Sequence, residues 1–80
     1  MIDKGKLAVA RARLITAMGR DVTWHEFSEI CGVSPHTIVN LRHGHTGGSI
    51  RTLAAIVQAL RLRGVAIIEE DLLATNFSAR

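Results

Sequence analysis

Thr23-Trp24-His25-Glu26-Phe27-Ser28-Glu29-Ile30-Cys31-Gly32-Val33-Ser34-Pro35-His36-Thr37-Ile38-Val39-Asn40-Leu41-Arg42-His43-Gly44 is the stretch whose reading decides the fold. Thr23 and Glu26 stand three residues apart, the spacing of a capping box that starts a helix. Val22 and Phe27 occupy the two positions of a hydrophobic staple around the same cap. This helix is predicted to run to Cys31, with Gly32 free to take the left-handed conformation. A new start follows at once. Ser34 is a cap, and Pro35 falls at the first helical position, where its missing N–H costs nothing. Val33 and Ile38 offer a second staple, and Gly44 closes the helix, predicted over 35–43. Two short helices are therefore expected, joined by a tight turn and wedged at a steep angle. Phe27, Cys31, Val33, Ile38 and Leu41 are the apolar wedge, and Ser28 is small where the helices must approach closely.

Working outward, Leu7, Ala10, Leu14, Ile15, Ala17 and Met18 recur at helical spacing before this unit. They predict a helix over 4–18, capped by Asp3 and ended by Gly19. After it, the loop His45-Thr46-Gly47-Gly48 leads to the Ser49 cap of a fourth helix ended by Gly64. Ile50, Leu53, Ile56, Val57 and Leu60 are its expected apolar stripe. Val65-Ala66-Ile67-Ile68 reads either as a short strand or as the opening of a fifth helix reaching Leu72 and Leu73. β-branching and the preceding glycine favour the strand. Residues 75–80 are expected to fray. The fold class is thus mainly α, a bundle of four to five short helices with room for a short C-terminal strand. Residues 1–63 form the expected principal unit, and 64–80 a C-terminal segment and tail.

Eighty residues make one domain, and a domain this small buries a limited fraction of its surface. Hydrophobic residues are 48% of the chain, enough to suggest that some apolar surface is buried against a second copy. Cys31 is the single cysteine, so no internal disulfide forms; it is read as a buried small hydrophobe. No apolar run approaches the ~20 residues of a membrane span. Arg11 and Arg13 interrupt what could have been a signal-peptide core. A soluble, cytoplasmic protein with no membrane partner is expected. Nine basic and four acidic residues precede Gly64, whereas Glu69, Glu70, Asp71 and Arg80 leave the remainder acidic. A basic body of this kind suits a polyanion or is an ordinary solvated surface.

The stretch from Thr23 to Gly44 resembles the lambda-repressor-like helix-turn-helix family, the Cro/repressor or XRE-type regulators. Ser49-Ile50-Arg51-Thr52-Leu53-Ala54-Ala55-Ile56-Val57-Gln58-Ala59-Leu60 resembles that family's next helix, so the resemblance spans about residues 5–62. It implies a lambda-repressor-like bundle and a homodimeric transcriptional regulator, usually a phage or prokaryotic repressor. It also implies a partly palindromic double-stranded DNA operator. The start of the second helix and the exposed face of the third would meet DNA. Trp24, Ser34, His36 and Asn40 fall on the family's contact positions. Pro35 falls on another but has no side-chain donor or acceptor. Arg42 replaces a commonly acidic residue, which removes the family's usual salt bridge there.

Helical geometry gives a similar set. With Ile38 and Leu41 inward, the third helix presents His36, Val39, Asn40 and His43. An α-helix fits the major groove, whose base edges carry a distinguishable code. Asn40 can pair with an adenine edge, His36 can donate to a purine acceptor, and Val39 suits a thymine methyl. Expected phosphate contacts are Thr23, Trp24, Ser34, Thr37, Arg42, His45, Thr46 and Arg51. Arg51 lies in the first turn of the fourth helix, where the dipole disfavours a cation unless an anion is near. The Thr46-Gly47-Gly48 loop is expected to offer unobstructed backbone donors. Trp24 either packs along the DNA backbone or covers the edge of the core, and His25 is solvated or touches phosphate.

Val65, Ile67, Ile68, Leu72 and Leu73, with Phe77 beyond them, either cap the chain's own core or form a dimer interface. Such a dimer, by strand pairing or helix packing, would set recognition helices about 34 Å apart. His36, His43 and His45 lack metal-ligand spacing, so no metal or cofactor is expected. No nucleophile–base pair, phosphate-binding loop or paired-carboxylate motif is present, so an enzyme is not expected. Two other readings remain: an antitoxin-like autorepressor that also binds a toxin protein, and a helix-turn-helix used only for protein contact. An apolar or acidic third-helix face would mark the last.

Overall fold

The computed structural model describes residues 1–74. Four helices follow in order: α1 (Lys4–Met18), α2 (Trp24–Cys31), α3 (Pro35–Arg42) and α4 (Ile50–Leu62); a 3-10 turn lies at Glu69–Asp71. No sheet forms among the described residues, and an isolated antiparallel bridge joins Ile2 to Leu73.

Each α-helix starts where a side-chain oxygen accepts a backbone N–H from its first turn. Asp3 accepts from Lys6, Thr23 from Glu26, Ser34 from Thr37 and Ser49 from Thr52. Such caps are worth about 1 kcal/mol each. Gly19 and Gly32 end α1 and α2 at φ of 72° and 69°, a region that only glycine enters without strain. α3 stops one residue earlier than predicted: His43 is its C-cap, and Gly44 turns the chain away at φ 74°.

The core gathers one face from every helix. Leu7, Ala10 and Leu14 come from α1, Phe27 and Cys31 from α2, Ile38 and Leu41 from α3. Leu53, Ile56, Val57 and Leu60 come from α4, and Val22 joins from the α1–α2 loop. α2 packs on both α3 and α4, and α1 packs on α3. Ser28, fully buried at the α2 side of this junction, satisfies its hydroxyl on the His25 carbonyl at 2.6 Å. Ile50 departs from the expected stripe. It sits at the first position of α4 and is 76% exposed, so the buried stripe begins at Leu53.

The segment after Gly64 is neither the predicted strand nor a fifth helix. Gly64 turns the chain at φ 91°, and the Val65 N–H returns to the Leu60 carbonyl. Val65 and Ile67 then alternate into the core while Ala66 and Ile68 face outward, which is the side-chain period of a strand. No ladder accompanies it, and several of its backbone groups are engaged elsewhere. Arg13 donates to the Ala66 carbonyl, Arg61 to the Ile67 carbonyl at 2.7 Å, and the Ile68 N–H donates to the Asp71 carboxylate. Val65, Ile67 and Leu72 belong to the same core as the helices. Burial within the chain therefore removes them from the surface where a dimer interface was expected. Leu73 is partly buried, and of the five residues Ile68 alone is exposed. Phe77 and the tail 75–80 lie outside the described residues.

The N-terminal residues tie this segment to the rest. Ile2 is buried, and its N–H donates to the Gly47 carbonyl at 3.0 Å. The Asp3 N–H donates to the Leu72 carbonyl at 2.8 Å, and the Ala74 N–H to the Met1 carbonyl at 2.6 Å.

Candidate nucleic-acid interface

α3 carries no acidic residue, and none occurs anywhere from Gly32 to Ile68. With Ile38 and Leu41 inside, the exposed side of α3 presents His36, Val39 and the partly exposed Asn40, with His43 at the cap. One helical turn separates His36 from Asn40, and the Asn40 amide nitrogen lies 3.3 Å from His36 Nε2. The two side chains hold each other on the outward face. His43 and His45 stack edge to face, 5.8 Å between ring centres.

Trp24 is partly buried at the first position of α2 and packs edge-on against Phe27, 5.4 Å between ring centres. Two guanidinium groups converge on it. Arg42, from the last turn of α3, lies 4.7 Å from the ring centre, and Arg11, from α1, lies 5.0 Å from it. Arg11 is anchored by donating to the Val22 carbonyl at 2.7 Å and stands 3.7 Å from Asp21. Positive charge is thereby held at the N-terminus of α2, where free N–H groups already favour an anion. Beside it a cleft of about 200 Å³ opens between α2 and α3, lined by Trp24, His25, Pro35, Ile38, Val39 and Arg42.

The remaining expected phosphate contacts are placed as follows. Thr23 and Ser34 are exposed, each with its oxygen committed to a cap; Ser34 also shares a 2.9 Å hydrogen bond with Thr37. Arg51 is exposed and makes no ion pair among the described residues. His45 and Thr46 are exposed. The glycine loop is less open than expected: Gly48 N–H donates to Thr46 Oγ1, and a Cβ on Gly47 would meet Met1 at 2.5 Å. Ile2 also holds the Gly47 carbonyl, so the N-terminal residues cover part of this loop.

Two basic residues escaped sequence reading. Arg11 reaches Trp24 across thirteen positions, and nothing local to α1 signals it. Lys4 runs past Gly44, where a Cβ would stand 3.7 Å from its side chain; the pairing depends on how α1 crosses α3. Glu26 binds Arg20 at 2.6 Å. That hydrogen bond holds the Glu26 carboxyl below its ordinary range, with the Thr23 backbone N–H acting in the same direction. Cys31 is buried, and burial pushes its thiol up to about 12, which keeps it a neutral thiol near pH 7. Among the described residues no cluster of three metal-ligating side chains occurs, and no helix is long and apolar enough to cross a membrane. No family model matches the chain, and no curated protein or solved structure matches it either.

Proposed function

We propose that this chain is a sequence-specific double-stranded DNA-binding regulator. In this reading α2 and α3 act as a helix-turn-helix and α3 enters the major groove. The observation that carries the reading is the outward face of α3. It joins a bidentate-capable amide at Asn40, an imidazole at His36 and an apolar Val39, beside the guanidinium of Arg42 and with no carboxylate. Amide and imidazole groups read base edges, whereas a solvated helix face has no need of Val39 there. A face used only for protein contact would be apolar or acidic, and this one is neither.

Phosphate contacts are assigned to Arg42 and the α2 N-terminus beside the reading face, and to Arg51 in the first turn of α4. Base reading is assigned to His36, Val39, Asn40 and His43. The protein acts as a homodimer on a partly palindromic operator, through a surface other than Val65, Ile67 and Leu72, which its own core occupies. Selection of bound sequences from random duplex DNA tests the reading. An enriched palindrome with half-sites one helical turn apart is expected. Recovery of no enriched sequence would overturn it in favour of a protein-contact module.

A further inference from the structure

We propose that the cleft between Trp24 and Val39 receives the C5-methyl group of a pyrimidine in the major groove, that of thymine in preference to 5-methylcytosine. The proposal rests on the DNA-binding reading above and gives it a chemical preference. On the α3 side the cleft is walled by Pro35, Ile38 and Val39, which present carbon alone, and Pro35 lacks even a backbone N–H. Val39 is 41% exposed at the middle of the helix face that also carries His36 and Asn40. Its methyl groups lie outside the packed core. The rim is different. Arg42 supplies donors, whereas His25 Nε2 already faces the Glu29 carboxylate at 3.6 Å; no carboxylate lines the cleft itself, so an electron-rich edge meets the Arg42 guanidinium there.

The C5-methyl group is the one apolar group that a base-pair edge displays in the major groove. At about 200 Å³ the cleft exceeds the ~30 Å³ that one water occupies in the liquid, enough for a methyl group and the ring edge that bears it. Thymine and 5-methylcytosine carry the same methyl at the same place. They differ beside it: thymine offers the O4 acceptor, cytosine the N4 amino donor. The Arg42 guanidinium at the rim matches the first.

The test uses duplexes carrying the selected operator. Each thymine is replaced in turn by deoxyuridine, which removes only the methyl group, and each cytosine in turn by 5-methylcytosine. One thymine per half-site is expected to lose about four-fold in affinity, the size of one methyl-sized group withdrawn from water. Val39→Ala should bind more weakly and no longer distinguish thymine from uridine at that position. Arg51→Ala should weaken both duplexes equally and keep the distinction. A gain with 5-methylcytosine and no loss with deoxyuridine would overturn the thymine preference and assign the cleft to methylated cytosine. Specific binding that no deoxyuridine weakens and no 5-methylcytosine strengthens would overturn the proposal and leave the DNA-binding reading standing. A thymine preference that survives Val39→Ala would move the methyl contact away from this cleft. The absence of any enriched sequence would remove the underlying reading and the proposal with it.

Discussion

Arg42 lies over Trp24, its guanidinium carbon 4.7 Å from the ring centre, and this stack spans the turn between α2 and α3. A partly exposed contact of this kind is worth about 0.5–1 kcal/mol. Arg42→Ala is therefore expected to lower stability by about that amount and to red-shift the fluorescence of Trp24, the single tryptophan. Urea unfolding followed by tryptophan emission measures both. An unchanged midpoint and spectrum would show that the stack contributes nothing.

Asn40 faces outward and supports no core residue. Asn40→Ala should leave the urea midpoint in place and weaken binding to the selected operator by about 1–3 kcal/mol, the range of one bidentate base contact. Binding to unrelated duplex should barely change. Fluorescence anisotropy on matched and scrambled duplexes separates the two.

Arg51 is the opposite case. Truncation to alanine should weaken binding to all sequences alike and reduce the slope of log affinity against log salt by about 1. A loss confined to the selected operator would make Arg51 a base contact instead.

Cys31 is expected to resist alkylation in the folded protein at about pH 8 and to react at once in denaturant. Its ionisation also sets an alkaline limit. The unfolded thiol ionises near 9.0 and the folded one only at about 12. Over that interval the unfolded chain loses a proton that the folded chain retains, so stability falls as pH rises. Cys31→Ala should flatten this decline while losing some packing, as unfolding at a series of alkaline pH values will show.

Glu26 sets the acidic counterpart. Its carboxyl is held low, chiefly by the hydrogen bond from Arg20. The contribution is complete above the ordinary carboxylate pKa and is lost as pH falls through the lowered folded value. Glu26→Gln should therefore be less stable than the parent near neutrality, and the gap should close in acid. A gap independent of pH would assign the effect to the cap geometry alone.

The features legible in the sequence are those decided within a few residues. Asp3, Thr23, Ser34 and Ser49 each cap a helix through a bond to the third residue onward. Gly19 and Gly32 end helices because the chain there needs positive φ. The apolar stripes followed from the helical period, except at Ala17 and Ile50, both exposed near a helix end, where period alone could not tell a position lifted clear of the core. Long-range pairings were not legible. Arg11 on Trp24, Lys4 beside Gly44 and the N-terminal residues across Gly47 all depend on how α1 lies against the other elements. The same limit applied after Gly64. Local propensity recognised the alternation of Val65–Ile68, but the arginines that occupy its carbonyls come from α1 and α4. At the candidate interface the identity of the outward residues was readable from α3 alone, whereas the cleft needed α2 and α3 together.

Arg13 and Arg61 occupy the carbonyls of Ala66 and Ile67. Val65–Ile68 is rich in β-branched residues, extended, and near the surface, the character of a segment that recruits neighbours edge to edge. With the Ala66 and Ile67 acceptors held by two arginines, it offers an incoming strand less to pair with. Protection of this segment from edge-to-edge pairing thus depends on two side chains that lie outside the candidate interface. A variant that keeps the fold but loses both would be expected to precipitate on storage, beginning at this segment.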